Sequence, residues 1–269
     1  MQVNYPIISS DSHIAEAPNT YTDYIEPEWR DVAPHVIETE DKGDLYVIDG
    51  MKRTIQMGLI AAAGKAPEEL NPKGKWDELP RSGWDSSYRI ADQNRDGVSA
   101  EVIYPSVGMV LCNHPDADYK KATMDAYNRW ISDYCSVDPN RLLAIGQTPL
   151  RSVEEGIVEI EAMKNAGLRG VMMPGNPATE FDYDDPRWDP FWQAAIQLEL
   201  PLSWHILTAK GSGRPRGPKA NSIMTIIRAN QDIMGTLVFG GVFERNPELK
   251  VVCVEACLLY TSPSPRDRG

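Results

Sequence analysis

What this sequence has little of narrows it before any motif is read. Only four cysteines occur, Cys112, Cys135, Cys253 and Cys257, and none sits in a C-x-x-C pair, which argues against a disulfide scaffold and a cysteine zinc site. Positive charge is short as well. Against 39 Asp and Glu stand 27 Lys and Arg, a net charge of -12 with no basic stripe, so nucleic acid and anionic membrane surfaces are poor partners. The longest apolar run, "MGLIAAAG" at 57–64, is far too short to span a bilayer. No basic stretch leads into an apolar one at the N-terminus, and cytoplasm is the expected compartment. The G-x-S-x-G elbow, the P-loop and the G-x-G-x-x-G loop are all missing.

What is present is an alternation. Strand-like runs at 3–10, 100–105, 141–150, 168–175, 201–206 and 249–256 are apolar on both faces. Helical patterns separate them at 118–139, 152–167, 187–200 and around 220–234, the second opened by a Ser-x-x-Glu box and closed by Gly167. Strands apolar on both faces and joined by helices imply parallel pairing through right-handed crossovers. The expected fold is α/β, a TIM-type (β/α)8 barrel that is incomplete here, with about six β-α units in residues 1–256. Residues 38–84 break the rhythm with "GDLYVIDGMKR", which reads as a small hairpin, and a segment rich in Pro, Gly and charge. They are an expected insertion after the first strand. The last stretch, 257–269 ("CLLYTSPSPRDRG"), degenerates into Ser, Pro, Arg and Asp, and is expected to be a non-native or disordered tail.

The polar residues at strand ends carry the chemistry. Strict alternation sends Ile7, Ser9, Asp11 and His13 to one face of the first strand. His205 ends the fifth strand and Glu255 the sixth, and the carboxyl ends of barrel strands form the catalytic face. Crowded carboxylates there raise one another's pKa unless a cation neutralises them, and mixed imidazole and carboxylate ligation suits zinc, or manganese or iron. Each residue alone has a plainer reading: a strand cap for Asp11 and His13, a core histidine at 205, a surface ion pair for Glu255. Their agreement at one face favours a metal. His114, in the loop after the second strand, is a candidate acid or base, and Glu16 a candidate hydrogen-bond partner of a ligand. His35 reads as structural. The Gly-rich "GSGRPRGPKA" at 211–220 follows His205, and Arg214 and Arg216 could meet an anionic group there.

These motifs resemble the amidohydrolase-related family that includes aminocarboxymuconate-semialdehyde decarboxylase. The resemblance rests on "IISSDSHIAEAPNTYTDYI" with its D-x-H, on "LSWHI" and on "MGTLVFGGVFERNPELKVVCVEA", and it covers roughly residues 5–256. It implies a mononuclear metal barrel with Asp11, His13 and His205 as ligands and Glu255 as ligand or base. The reaction it implies is hydrolysis of a small anionic or aromatic substrate through metal-activated water, or alternatively non-oxidative decarboxylation. Decarboxylase members carry a histidine where Glu255 stands, and the family's strand-eight aspartate has no counterpart. The tail resembles translated sequencing-adapter read-through, so the expectation is a longer native protein and an inactive fragment as written. A metal-free binding or scaffold barrel is the contrasting class, and a homodimer is the candidate assembly.

Overall fold

Parallel pairing is what the apolar strands adopt. The computed structural model describes residues 5–60, 65–209, 217–218 and 221–256. Strand β1 (Ile8–His13) leads into an antiparallel excursion of β2 (His35–Thr39), β3 (Gly43–Val47) and β4 (Ile55–Gln56), closed by the single turn α1 (Met57–Ile60). Regular alternation follows: α2 (Ser86–Asp96), β5 (Ala100–Tyr104), the short α3 (Val107–Leu111), α4 (Ala117–Cys135), β6 (Leu142–Gln147) and α5 (Val153–Asn165). Then come β7 (Gly170–Met172), α6 (Asp189–Gln197), β8 (Leu202–His205), α7 (Ser222–Phe239), α8 (Val242–Arg245) and β9 (Val251–Val254). The large sheet runs β1-β5-β6-β7-β8-β9 with every neighbour parallel. It forms six strands of a TIM-type barrel, flanked by helices.

Local chemistry sets the helix limits. Asp116 accepts from the N–H groups of Asp118 and Tyr119 to start α4, and Ser152 accepts from Glu155 N–H to start α5. The left-handed Gly97 closes α2 (φ 72°). Strands β7 and β8 are buried throughout, as parallel strands between helices must be. The edge strands differ. Ile7 and Ile8 are 60% and 55% exposed, because among the described residues β1 pairs only with β5. Behind β8, Trp204 is fully buried against Tyr183 and Trp192, with Trp188 and Phe191 completing an aromatic wedge under α6.

The excursion holds more than the sequence suggests. The hairpin read from "GDLYVIDGMKR" corresponds to the β3–β4 pair, but β2 also joins it, pairing Val36 with Tyr46 and Ile37 with Leu45. "HVIET" is a weak strand signal on its own, and the excursion therefore starts near residue 35 rather than 38. Residues 257–269, expected to be a non-native tail, lie outside the described residues. Among the described residues no helix is long and apolar enough to cross a membrane.

Candidate metal centre

The first strand does not alternate strictly. Ile8 and Ser9 pair with Ala100 and Glu101, whereas Ser12 and His13 pair with Ile103 and Tyr104. Three steps along β1 match two along β5, so β1 carries a bulge. The consequence corrects the simple facing pattern: Ser9 shares a face with Ser12 (Oγ to Oγ 2.8 Å), not with Asp11 and His13.

Across the sheet, β8 delivers the fully buried His205 to the same place as Asp11 and His13. One ligating atom from each of the three lies within 4.8 Å of the others. Asp11 Oδ1 is 3.5 Å from both Nε2 atoms, and those two Nε2 atoms are 3.0 Å apart. His13 Nδ1 donates to the Pro105 carbonyl (3.2 Å) and His205 Nδ1 to the Ile206 carbonyl (3.1 Å). A carbonyl can only accept, so each ring carries a proton on Nδ1 and turns Nε2 inward. Two lone pairs and a carboxylate directed at one point repel unless a proton or a cation stands between them. The donor set fits a divalent cation. The charge balance agrees with this. His13 and then His205 hold the Asp11 carboxyl well below the usual carboxylate range. Burial works against charge on His13, but the Asp11 carboxylate outweighs it and its pKa is raised.

Glu255 stands at the rim. It follows β9 in a left-handed backbone (φ 55°), half exposed, with Oε2 3.9 Å from His205 Nε2. His114 goes elsewhere. It is 5% exposed, its Nε2 donates to the Asp49 carbonyl (2.8 Å), its Nδ1 accepts from Asp116 N–H (3.1 Å), and it stacks on Tyr119. Both nitrogens are spent anchoring the excursion, which corrects the expectation of an acid or base. Gly50 turns beside it with φ +73°, where a Cβ would lie 2.9 Å from His114 Nε2. Glu16 touches no ligand side chain either. It accepts from the N–H groups of Ser106, Val107 and Gly108 (3.0, 2.9 and 3.3 Å), fixing the turn whose Pro105 carbonyl holds His13. Burial raises its pKa to about 7 against those donors. Arg214 and Arg216 lie outside the described residues.

Three further polar groups, which the sequence reading missed, lie beside the chain on either side of His205. Asn230 of α7 is fully buried and donates to the Trp204 carbonyl (2.9 Å) and the Val254 carbonyl (3.5 Å), the residues just before His205 and Glu255. Its signal is an asparagine on the apolar face that Ile233 and Leu237 continue. Asn113 donates to the Leu207 carbonyl (2.7 Å). Arg53 comes from the excursion, with no hydrogen bond or ion pair among the described residues. Both line a cavity of about 340 Å³ that also touches Met51, Val110, Leu207 and Ile226.

A family model described as Amidohydrolase matches residues 43–262. The chain belongs to the amidohydrolase family. This amidohydrolase-family chain is 27% identical over 184 residues to a 2-amino-3-carboxymuconate-6-semialdehyde decarboxylase of Dictyostelium discoideum, a match covering 65% of the chain and 48% of the relative. It thus spans about half the length of that relative. The fold matches a solved amidohydrolase from Mycobacterium avium subsp. paratuberculosis K-10 with a TM-score of 0.72 at 19% identity, covering 97% of this chain and 75% of the other. A 5-carboxyvanillate decarboxylase from Novosphingobium aromaticivorans, solved with manganese and 4-hydroxy-3-methoxy-5-nitrobenzoic acid, matches with a TM-score of 0.60 at 17% identity, covering 93% and 65%. The amidohydrolase family is metal-dependent, and Asp11 and His13 lie before the matched segment, so their place in the site rests on geometry.

Proposed function

We propose that the protein is a metal-dependent carboxy-lyase that removes carbon dioxide from a small aromatic or unsaturated carboxylate without an oxidant. The meeting of Asp11, His13 and His205 at one end of the parallel strands carries the reading. Relatives named as decarboxylases favour it over hydrolysis through activated water, the first expectation from the sequence.

Asp11, His13 and His205 would hold the ion. Two imidazoles and a carboxylate suit zinc, and also manganese. When bound, the ion supplies Lewis acidity toward a substrate carbonyl or carboxylate oxygen. The chain's own groups do the rest. Met51, Val110, Leu207 and Ile226 offer an apolar wall for a flat substrate, and the Arg53 guanidinium offers a fork for its carboxylate. Asn113, bonded to Leu207, keeps that wall in place. The bond between the substrate carbon and its carboxylate breaks, carbon dioxide leaves, and the electron pair left on carbon takes up a proton. Glu255, half exposed at the rim and 3.9 Å from His205 Nε2, would deliver that proton.

The test is to load the protein with zinc or manganese, supply aromatic and unsaturated carboxylates, and measure carbon dioxide against substrate consumed. One equivalent of each is expected. Cleavage of an ester, lactone or amide with no carbon dioxide would return the reading to hydrolysis. Failure to hold stoichiometric metal would leave a binding barrel instead.

A further inference from the structure

The bulge in β1 raises a mechanical question. The bulge lies between Ser9 and Ser12, so it sets the position of Asp11 and the register of His13 against β5, and β1 is an edge strand among the described residues. A bulge on an edge is the most deformable part of a sheet. Something has to hold it.

We propose that Glu101, gripped by Arg89, is a positioning residue that locks the β1 bulge through Ser12 and thereby fixes Asp11 and His13 in ligating geometry. Glu101 Oε1 accepts from Ser12 Oγ at 3.0 Å, and Ser12 Oγ meets Ser9 Oγ at 2.8 Å, so one carboxylate oxygen spans the bulge from its outer face. Arg89 donates to Glu101 in a fork, Nε to Oε2 at 2.7 Å and Nη2 to Oε1 at 3.1 Å, and Gln93 adds a bond to Oε2 at 2.7 Å. The same guanidinium reaches round to the main chain of the ligand itself, Nη1 to the His13 carbonyl at 3.1 Å. Ser12 and His13 are therefore held from behind by α2 and β5, while Asp11 and His13 face the centre. Both side chains of the pair are only 13% exposed, so water competes little for these bonds.

The charged residue in "AEVIYP" thus has a use that an inward or solvent-facing glutamate would not have. A fork is needed, since a single bond would let the carboxylate pivot and the bulge slide along β5. Partners of this kind, one bond removed from a ligand, typically change metal affinity about 10–100-fold when removed.

The inference rests on the metal reading of the site, and the experiment separates the two. Zinc and manganese are titrated calorimetrically into the wild-type protein, Ser12→Ala, Ser12→Thr and Glu101→Gln, with the visible spectrum of the cobalt-loaded forms recorded alongside. Wild type should take one ion. Ser12→Ala, which removes one hydroxyl and leaves the fork intact, should lose about 10–100-fold in affinity and shift the cobalt bands while melting cooperatively. Ser12→Thr, which keeps the hydroxyl, should restore both, and Glu101→Gln should fall with Ser12→Ala. Affinities and spectra of folded Ser12→Ala matching wild type would overturn the positioning role and leave the metal reading standing. No binding by wild type would overturn both.

Discussion

The Nε2 atoms of His13 and His205 face each other at 3.0 Å while both Nδ1 atoms are tied to main-chain carbonyls. Neither ring can swing away without giving up its carbonyl, so both Nε2 atoms stay turned toward the Asp11 carboxylate. Anything that binds the folded state alone stabilises it by mass action, about 2.7 kcal/mol at a hundredfold excess over the dissociation constant. Added zinc or manganese should therefore raise the melting temperature, and chelator should reverse the rise. Asp11→Asn should nearly abolish the shift, because it removes the one anionic donor. An equal shift in the variant would mean that the ion binds elsewhere.

The Glu101–Arg89 pair predicts a specific acid sensitivity. Burial pushes the Glu101 carboxyl up, but Arg89, Gln93 and Ser12 together outweigh it and its pKa is lowered. An acid whose folded pKa lies below its unfolded one binds fewer protons when folded. Its stabilisation is complete above the unfolded value and is lost as pH falls through the folded one. Denaturant unfolding across pH 3–6 should show wild type losing stability on acidification more steeply than Glu101→Gln. At pH 7 the variant should be less stable by about 3 kcal/mol, since it leaves the Arg89 charge partly buried and unpaired. Parallel profiles for the two proteins would refute the linkage.

His114 offers a contrast with the histidines of the proposed metal centre. Both its nitrogens are bonded to main-chain groups, so His114→Gln should lower stability by about 1–3 kcal/mol through the lost Asp49 anchor. Metal affinity should stay within about twofold of wild type. A large fall in affinity with unchanged stability would restore it to the site.

The barrel was readable from the sequence because its parallel strands are apolar on both faces and its helices carry their own start and stop signals, as Ser152 and Gly167 do. The clustering of Asp11, His13 and His205 was readable for a different reason: polar residues at the ends of apolar strands violate the core pattern. What was not readable depends on contacts between distant segments. Nothing local in "SSDSH" announces a bulge, which shows only in the pairing with β5, where Glu101 lies opposite Ser9. His114 gave the same local signal as a catalytic loop histidine, and only the position of Asp49 distinguishes the two. Strand β2 was missed because five residues with one charge hold their register through β3, not through their own periodicity.

Arg53 tests the cavity. A charged hydrogen bond to a substrate carboxylate contributes about 2 kcal/mol, which corresponds to about thirtyfold in binding. Arg53→Ala should therefore raise KM for a carboxylate substrate by about that factor while leaving kcat within a few-fold. Steady-state kinetics on the metal-loaded protein decides it, and an unchanged KM would remove Arg53 from substrate recognition.

Asn230 joins helix packing to the site. Its amide bonds the Trp204 and Val254 carbonyls, so one side chain sets where β8 and β9 end and hence where His205 and Glu255 begin. Because His205 is fully buried, its ring cannot relax into solvent to compensate for a shifted backbone. Asn230→Ala removes the donor from two buried carbonyls and leaves a small void, which together should lower stability by about 2–4 kcal/mol. Metal affinity should fall as well, whereas a cavity of similar size made far from the site, as in Ile160→Ala on α5, should lower stability alone. Comparing unfolding free energy with metal titration for the two variants separates these effects. Loss of stability in Asn230→Ala with wild-type affinity would show that strand pairing alone places His205.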